Sequence, residues 1–345
     1  MDLDTLHKGR QTIVFDRHPV ILAHSAIAGK KESEGPLAGF FDHTETDTRF
    51  GQKTWEKAET RLQELALDTA RSKAQLQYSD LDVLFAGDLL NQCISSAFAI
   101  RDTRIPFLGL YGACSTMAES LTLAAAAVNA GYAARAAALT SSHFATAERQ
   151  YRFPLGYGGQ RTPTAQWTVT GSGCCIVASS GRGPYLNCAT IGRIEDYGIK
   201  DANNMGAAMA PAAYSTLRAH FADTGLRPQD YDLIVTGDLG TLGSTIVTDL
   251  FRQDGVEFGA NYRDCGVLIY DLKRQDVHAG GSGCGCGAST LCGYVMNRMK
   301  AGELNRVLFM ATGALLSPTS TLQGESIPSV AHAVVISNTG QEGEQ

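Results

Sequence analysis

The sequence predicts an α/β fold of two duplicated halves, with helix-covered mixed sheets packed around central helices. The first observation is a repeat. Asp80-Leu81-Asp82-Val83-Leu84-Phe85-Ala86-Gly87-Asp88-Leu89 matches Asp230-Tyr231-Asp232-Leu233-Ile234-Val235-Thr236-Gly237-Asp238-Leu239, each a short turn, a buried strand and then Gly-Asp-Leu. The second lies downstream of both copies. Ala130-Gly131, Arg135 and an apolar strand to Thr140-Ser141-Ser142 are mirrored by Ala301-Gly302, Arg306 and a strand ending at Ala311-Thr312-Gly313. One such match is ordinary reuse of an Asp-x-Asp strand; two in the same order indicate duplication. Strands alternating with apolar helices imply parallel pairing under a helical cover.

The first half spans residues 1–180. In it a Pro-containing apolar strand, Ile105-Pro106-Phe107-Leu108-Gly109-Leu110, runs into the small-residue turn Gly112-Ala113-Cys114-Ser115 and an Ala-rich helix over 112–128. The strand to Ser142 follows, and Ile176-Val177-Ala178 closes the half. The turn cluster Ser180-Gly181-Arg182-Gly183-Pro184 marks the join. The second half, residues 181–345, carries a Gly-rich loop over 279–287, a helix over 283–299 and a closing strand, Ala333-Val334-Val335-Ile336. The helices after Cys114 and Gly287 are small-residue-rich and nearly uncharged at their starts, which makes them the central pair.

A formal charge of −6 and the lack of a Lys/Arg run argue against nucleic acid and against electrostatic adsorption to an anionic membrane. The greasiest stretch, 120–139, is interrupted by Asn129 and Arg135, short of the roughly 18 continuous apolar residues of a spanning helix. The acidic start Met1-Asp2-Leu3-Asp4 has no signal-peptide core. Nine cysteines, an odd number without a CxxC pair, read as reduced thiols. Gly283-Cys284-Gly285-Cys286-Gly287 lacks the usual zinc-ligand spacing, and the Gly-rich loop lacks the Lys-Ser/Thr of a phosphate-binding loop.

Cys114 is the leading site candidate. A thiol at a helix start faces unpaired N–H groups and the positive end of the helix dipole, which favour thiolate. His143 follows the strand end at Ser142, and His278 precedes the glycine loop, so both are expected near the same centre. Helix starts carry unpaired N–H groups, and Gly281 and Gly283 let backbone approach a ligand closely, a combination suited to an anion. Asp88 and Asp238 take equivalent places after buried strands, where the favoured reading is a helix cap. Arg149 and Arg152 read as interface residues.

The cysteine context and the two-half layout resemble the thiolase superfamily, in particular its ketoacyl-ACP synthase III branch, over nearly the whole chain. That likeness implies a thiolase-like fold in which Cys114 is the nucleophile, and a His and an Asn in the second half steady charge on a thioester oxygen. Here Gly237 stands at the His position and Cys284 at the Asn position. Loss of one such donor costs about 100- to 1,000-fold in rate. The expectation is therefore a pseudoenzyme, with a condensing enzyme or acyltransferase using Cys114 as the alternative.

Several long strings sharpen the likeness. They include Gly29-Lys30-Lys31-Glu32-Ser33-Glu34-Gly35-Pro36-Leu37, Tyr111-Gly112-Ala113-Cys114-Ser115-Thr116-Met117-Ala118-Glu119-Ser120, Ala147-Glu148-Arg149-Gln150-Tyr151-Arg152-Phe153-Pro154 and Asp276-Val277-His278-Ala279-Gly280-Gly281-Ser282-Gly283-Cys284-Gly285-Cys286. On these the chain resembles the stage V sporulation protein AD family of endospore-forming bacteria. The resemblance implies binding of dipicolinic acid or calcium dipicolinate. It also implies membrane-embedded partner proteins, a peripheral place at the spore inner membrane, a homodimer, and no cofactor beyond calcium in the chelate. The residues expected to meet the ligand are Cys114, Ser142, His143, Asp238, His278, Gly281, Gly283 and Cys284, with Asp238 placed to approach the calcium.

Overall fold

The computed structural model of the chain describes residues 6–151 and 161–340, so Arg152, Phe153 and Pro154 lie outside the described residues. Ten strands form the frame. Five come from the first part of the chain: β1 (Val20–Ala28), β2 (Val83–Gly87), β3 (Phe107–Gly109), β4 (Arg135–Ser142) and β5 (Gly171–Ala178). Five come from the second: β6 (Tyr185–Ile191), β7 (Leu233–Thr236), β8 (Tyr262–Asp264), β9 (Arg306–Ala314) and β10 (Ser329–Ser337). They stand in the order β8-β7-β9-β10-β6-β1-β5-β4-β2-β3. In the first five, β5 runs antiparallel between β1 and β4, while β4, β2 and β3 are parallel. The second five repeat this, with β10 antiparallel between β6 and β9, and β9, β7 and β8 parallel. The sheets are thus mixed, because a closing antiparallel strand follows each parallel set. The two runs touch through a single pair, Tyr185 opposite Val20.

The repeated Asp-x-Asp strings have a physical job. The first aspartate of each folds back on its own turn: Asp80 accepts from the Gln77 N–H and Asp230 from the Arg227 N–H, both at 2.7 Å. The second pins the neighbouring strand. Asp82 accepts from the Ala134 and Arg135 N–H groups at 2.7 and 3.0 Å, where β4 begins. Asp232 does the same for Asn305 and Arg306 at 2.6 and 2.9 Å, where β9 begins. A strand start has no ladder partner on one side, and a carboxylate supplies the missing acceptor in charge-assisted form.

Helix α1 (Trp55–Lys73) covers the first run, its N-cap Thr54 accepting from Lys57. Helix α2 (Thr116–Asn129) follows the Cys114 turn, α3 (Phe144–Tyr151) follows β4, and α4 (Met205–Thr224) with α5 (Gly240–Gln253) cover the second run. Helix α6 (Cys284–Ser289) continues through a π-helical segment (Thr290–Val295) into a last turn (Met296–Lys300). Helix α2 packs on strands of both runs, and its neighbour α6 packs on β4 and β5. These are the central helices, with Met117, Leu121, Leu291, Val295 and Phe309 buried between the sheets. The small residues matter for spacing. A Cβ on Gly173 in β5 would stand 2.4 Å from the Ala288 carbonyl oxygen of α6.

Gly173→Ala therefore forces α6 off β5, and destabilisation of about 1–3 kcal/mol is expected, read as a lower denaturant midpoint at unchanged slope.

Candidate functional site

The first run delivers Cys114 on a short 3-10 turn, Ala113–Ser115, ahead of α2 rather than on the α-helix itself. Ala113 takes φ +52°, a left-handed conformation that a non-glycine residue adopts only under constraint. The constraint is visible: the end of β9 presses on this turn, and a Cβ on Gly313 would lie 2.5 Å from the Gly112 carbonyl oxygen. From the second run comes Asp238, 1% exposed, on the connection between β7 and α5. Its carboxylate accepts from Thr312 Oγ1 at 2.7 Å, the Gly283 N–H at 3.0 Å and Ser282 Oγ at 3.3 Å. The Cys114 thiol lies against the same carboxylate, and the two groups act on each other electrostatically.

This geometry corrects two expectations. Cys114 is not biased toward thiolate: burial, then the adjacent Asp238 charge, push its pKa well above the usual thiol value. Asp238 is not a helix cap, because Asp264 takes that role, accepting from the Leu239 and Gly240 N–H groups at 2.9 and 3.0 Å. Asp88 also diverges from its counterpart. It does reach the next helix start, accepting from the Ser96 N–H at 2.8 Å in the first turn of the helix Ile94–Ile100, and from the Leu90 N–H at 2.9 Å.

The glycine loop does not present a free anion cradle either. The Gly283 N–H is spent on Asp238, and the Gly285 N–H on Ser142 Oγ at 3.0 Å. Ser142 in turn donates to the Val169 carbonyl at 2.7 Å, which leaves it a strut between β4, β5 and α6. Gly281 sits in a two-residue parallel pairing with Trp167 and accepts from Gln166 Nε2 at 2.7 Å. Cys284 is fully buried beside Cys114 and donates its thiol to the Ser141 carbonyl at 2.9 Å.

The histidines lie away from the thiol. His143 has Nε2 2.8 Å from the Thr48 carbonyl, while Nδ1 accepts from the Ala145 N–H at 3.1 Å, so both nitrogens are satisfied by backbone. Burial accordingly holds its pKa down at about 4. His278 turns to Asp276, 3.2 Å away. Arg149 pairs with Glu56 of α1 within the chain rather than standing free for an interface. Among the described residues, Asp238, Cys284 and the Gly283 N–H act on the Cys114 thiol, and no histidine or amide side chain joins them. At position 237 the fit is tight, since a Cβ would come within 3.2 Å of Ala311 Cα.

Cys114 closes one end of a cavity of about 300 Å³. Of the residues expected to meet a ligand, only Cys114 lines it; Ser282, between Gly281 and Gly283, lines it as well. The other walls escaped the sequence reading. Tyr111 and Tyr151 bring their phenol oxygens to 3.0 Å from each other, and Tyr151 donates to the Leu89 carbonyl at 2.5 Å. Opposite stand Ala314, Leu315, Leu316, Ser317 and Pro318, the segment leaving β9. Glu148 is buried on the wall, accepts from Thr168 Oγ1 at 3.0 Å and has Arg161 3.9 Å away. A signal for some of these was present, because Tyr111 and Glu148 lie in the recognised strings, but nothing in those strings says which side chain faces inward. Among the described residues no cluster of metal-ligating side chains occurs, and no helix is long and apolar enough to cross a membrane. All nine cysteines are free and buried.

Replacing Asp238 by Asn tests this electrostatic arrangement twice. Alkylation of Cys114 by iodoacetamide at pH 7.5, followed by intact mass, is expected to be at least about tenfold slower than for a free thiol, and to speed up in Asp238→Asn. Burial raises the Asp238 carboxyl to about 6 in the folded chain. Its contribution to stability is thus complete below the unfolded value near 4 and is lost as pH rises through 6. The stability gap between wild type and Asp238→Asn is expected to shift against wild type by about 3 kcal/mol between pH 4 and 7, measured by denaturant titration.

The fold is shared with condensing enzymes of known structure. A 3-oxoacyl-[acyl-carrier-protein] synthase III from Aquifex aeolicus superposes with a TM-score of 0.57 at 12% identity, covering 92% of this chain and 99% of that one. Cerulenin-bound OleA from Xanthomonas campestris gives 0.62 at 12% identity, covering 94% and 97%. At that identity the likeness establishes the fold alone, a thiolase-like arrangement of sheets flanked by helices. A family model described as stage V sporulation protein AD matches residues 9–337. The stage V sporulation protein AD of Bacillus subtilis (strain 168) is 47% identical over 333 residues, covering 96% of this chain and 98% of that protein. The chain therefore belongs to the stage V sporulation protein AD family.

Proposed function

We propose that this chain is a non-catalytic, thiolase-like binding protein whose ligand is dipicolinate or its calcium chelate. In this reading it serves at the spore inner membrane with membrane-embedded partners, loading the forespore and releasing the store at germination. Family membership supports the sporulation role. One structural observation supports the absence of catalysis: burial and the adjacent Asp238 carboxylate disfavour the thiolate of Cys114, where a condensing enzyme needs an activating His and Asn. A thiol held in its neutral form is a poor nucleophile toward a thioester.

The cavity suits a small flat ligand better than an acyl chain. About 300 Å³ between the Tyr111 and Tyr151 rings and the Leu315-Leu316 side leaves one slot with mainly apolar walls. Polar groups sit at Asn91 and Ser317, where carboxylates of a flat diacid would find donors. The same reading takes residues 1–180 and 181–345 as the duplicated halves, Cys114 as the ligand-facing residue of the first, and a homodimer as the assembled form.

Calorimetric titration of the purified chain with dipicolinate, with and without equimolar calcium, tests this. Saturable binding is expected, retained in Cys114→Ser and weakened at least about a hundredfold in Cys114→Trp, whose indole fills the slot. Incubation with acetyl-CoA is expected to leave the protein mass unchanged. A stoichiometric acyl adduct lost in Cys114→Ala would replace this reading with the acyltransferase one.

A further inference from the structure

The two strand runs meet where Tyr185 pairs with Val20, and a groove of about 730 Å³ opens along that seam. It lies at the opposite end of β4 and β5 from the Cys114 site. Val20 is level with Ala178 and Arg135, whereas Gly285 of the site contacts Ser142, seven residues further along β4. At about 3.3 Å per residue that is more than 20 Å away. Part of the groove wall is apolar, formed by Ile21, Leu22, Met296 and Met299. Its charged lining is all cationic: Lys73, Arg182 and Lys300, with no aspartate or glutamate. On a chain of net charge −6 this is a local reversal of sign.

The cations differ in what they already hold. Lys73 Nζ is 2.5 Å from the Asp42 carboxylate and donates to the His24 carbonyl at 2.9 Å. Arg182 and Lys300 have no ion-pair partner among the described residues. Some of the backbone carbonyls at this helix end already accept hydrogen bonds. Asn338 Nδ2 donates to the Met299 and Leu304 carbonyls at 3.0 and 3.1 Å, and the Ala301 N–H closes on Asn297. Burial lowers the pKa of His24 most, Lys73 and Lys300 act in the same direction, and the Cys292 carbonyl and the Asp42 carboxylate oppose them.

We propose that this seam groove binds an organic phosphate, its phosphoryl oxygens held by Arg182 and Lys300 and its carbon portion laid on Leu22, Met296 and Met299. The planar guanidinium fork matches two phosphoryl oxygens at once, and the ammonium adds a point charge. The groove exceeds what a bare inorganic ion fills, and the apolar wall accounts for the organic part. The same chemistry is offered by a soluble phosphate ester and by the headgroup of an anionic phospholipid.

Full-length protein is titrated with glycerol 3-phosphate in a calorimeter, and separately sedimented with phosphatidylglycerol vesicles diluted in phosphatidylcholine. Saturable binding of at least one probe is expected, weakened about tenfold or more in the Arg182→Gln, Lys300→Gln double variant. Binding of the ester identifies a soluble ligand, and binding of vesicles alone identifies a headgroup. Both replaced side chains lie at the seam surface, so dipicolinate binding in the double variant is expected to match wild type and reports that the fold is intact. The proposal is overturned if neither probe binds, or if the double variant binds them as well as wild type. Failure of dipicolinate alone, with phosphate binding intact, would sink only the reading of the Cys114 cavity.

Discussion

Asp238 is a carboxylate with no water to face, and the centre of the molecule is arranged around satisfying it. A buried charge without partners is expensive, so its two oxygens collect donors from two separate pieces of chain. Thr312 comes from β9, and Ser282 and Gly283 from the loop before α6, while Cys114 lies against the carboxylate from the turn before α2. One group thereby ties the second run to the starts of both central helices. The same carboxylate fixes the chemistry of the thiol. A carboxylate beside a thiol stabilises S–H over S⁻, which is the reverse of what an acyl-transfer nucleophile requires.

The surrounding scaffold has the fold of the synthase III and OleA structures, and the residues around Cys114 show how fold and site chemistry can be carried separately. Position 237 carries no side chain and packs closely on Ala311. Position 284 carries a thiol that bonds to the Ser141 carbonyl and so serves packing. Neither residue disturbs the sheets, because each strand is anchored elsewhere: β4 by Asp82, β9 by Asp232, and α6 against β5 by the absence of a Cβ on Gly173. Fold and reaction are separable here because different residues carry them.

The aspartate repeats show what was legible beforehand. Asp80, Asp82, Asp230 and Asp232 signalled a duplicated strand entrance, and the structure uses them in matching ways at the two entrances. Asp88 and Asp238 looked just as equivalent, yet one caps the start of the next helix, as the sequence suggested, and the other faces Cys114. The difference comes from what packs against each: Ser96 in the first turn of the Ile94–Ile100 helix for Asp88, the glycine loop and β9 for Asp238. His143 and His278 were similarly misplaced, because chain position near a strand end does not say whether backbone groups will satisfy an imidazole.

By itself, the sequence determined the repeated strand entrances, the mixed α/β class, the identity of the central helices and the family, since those follow from periodicity and from long local strings. Tertiary structure alone decided the protonation of Cys114, the occupation of the glycine-loop N–H groups and the walls of the cavity. Those depend on which residues from distant segments share a desolvated space, where a single neighbouring carboxylate or carbonyl outweighs any local preference.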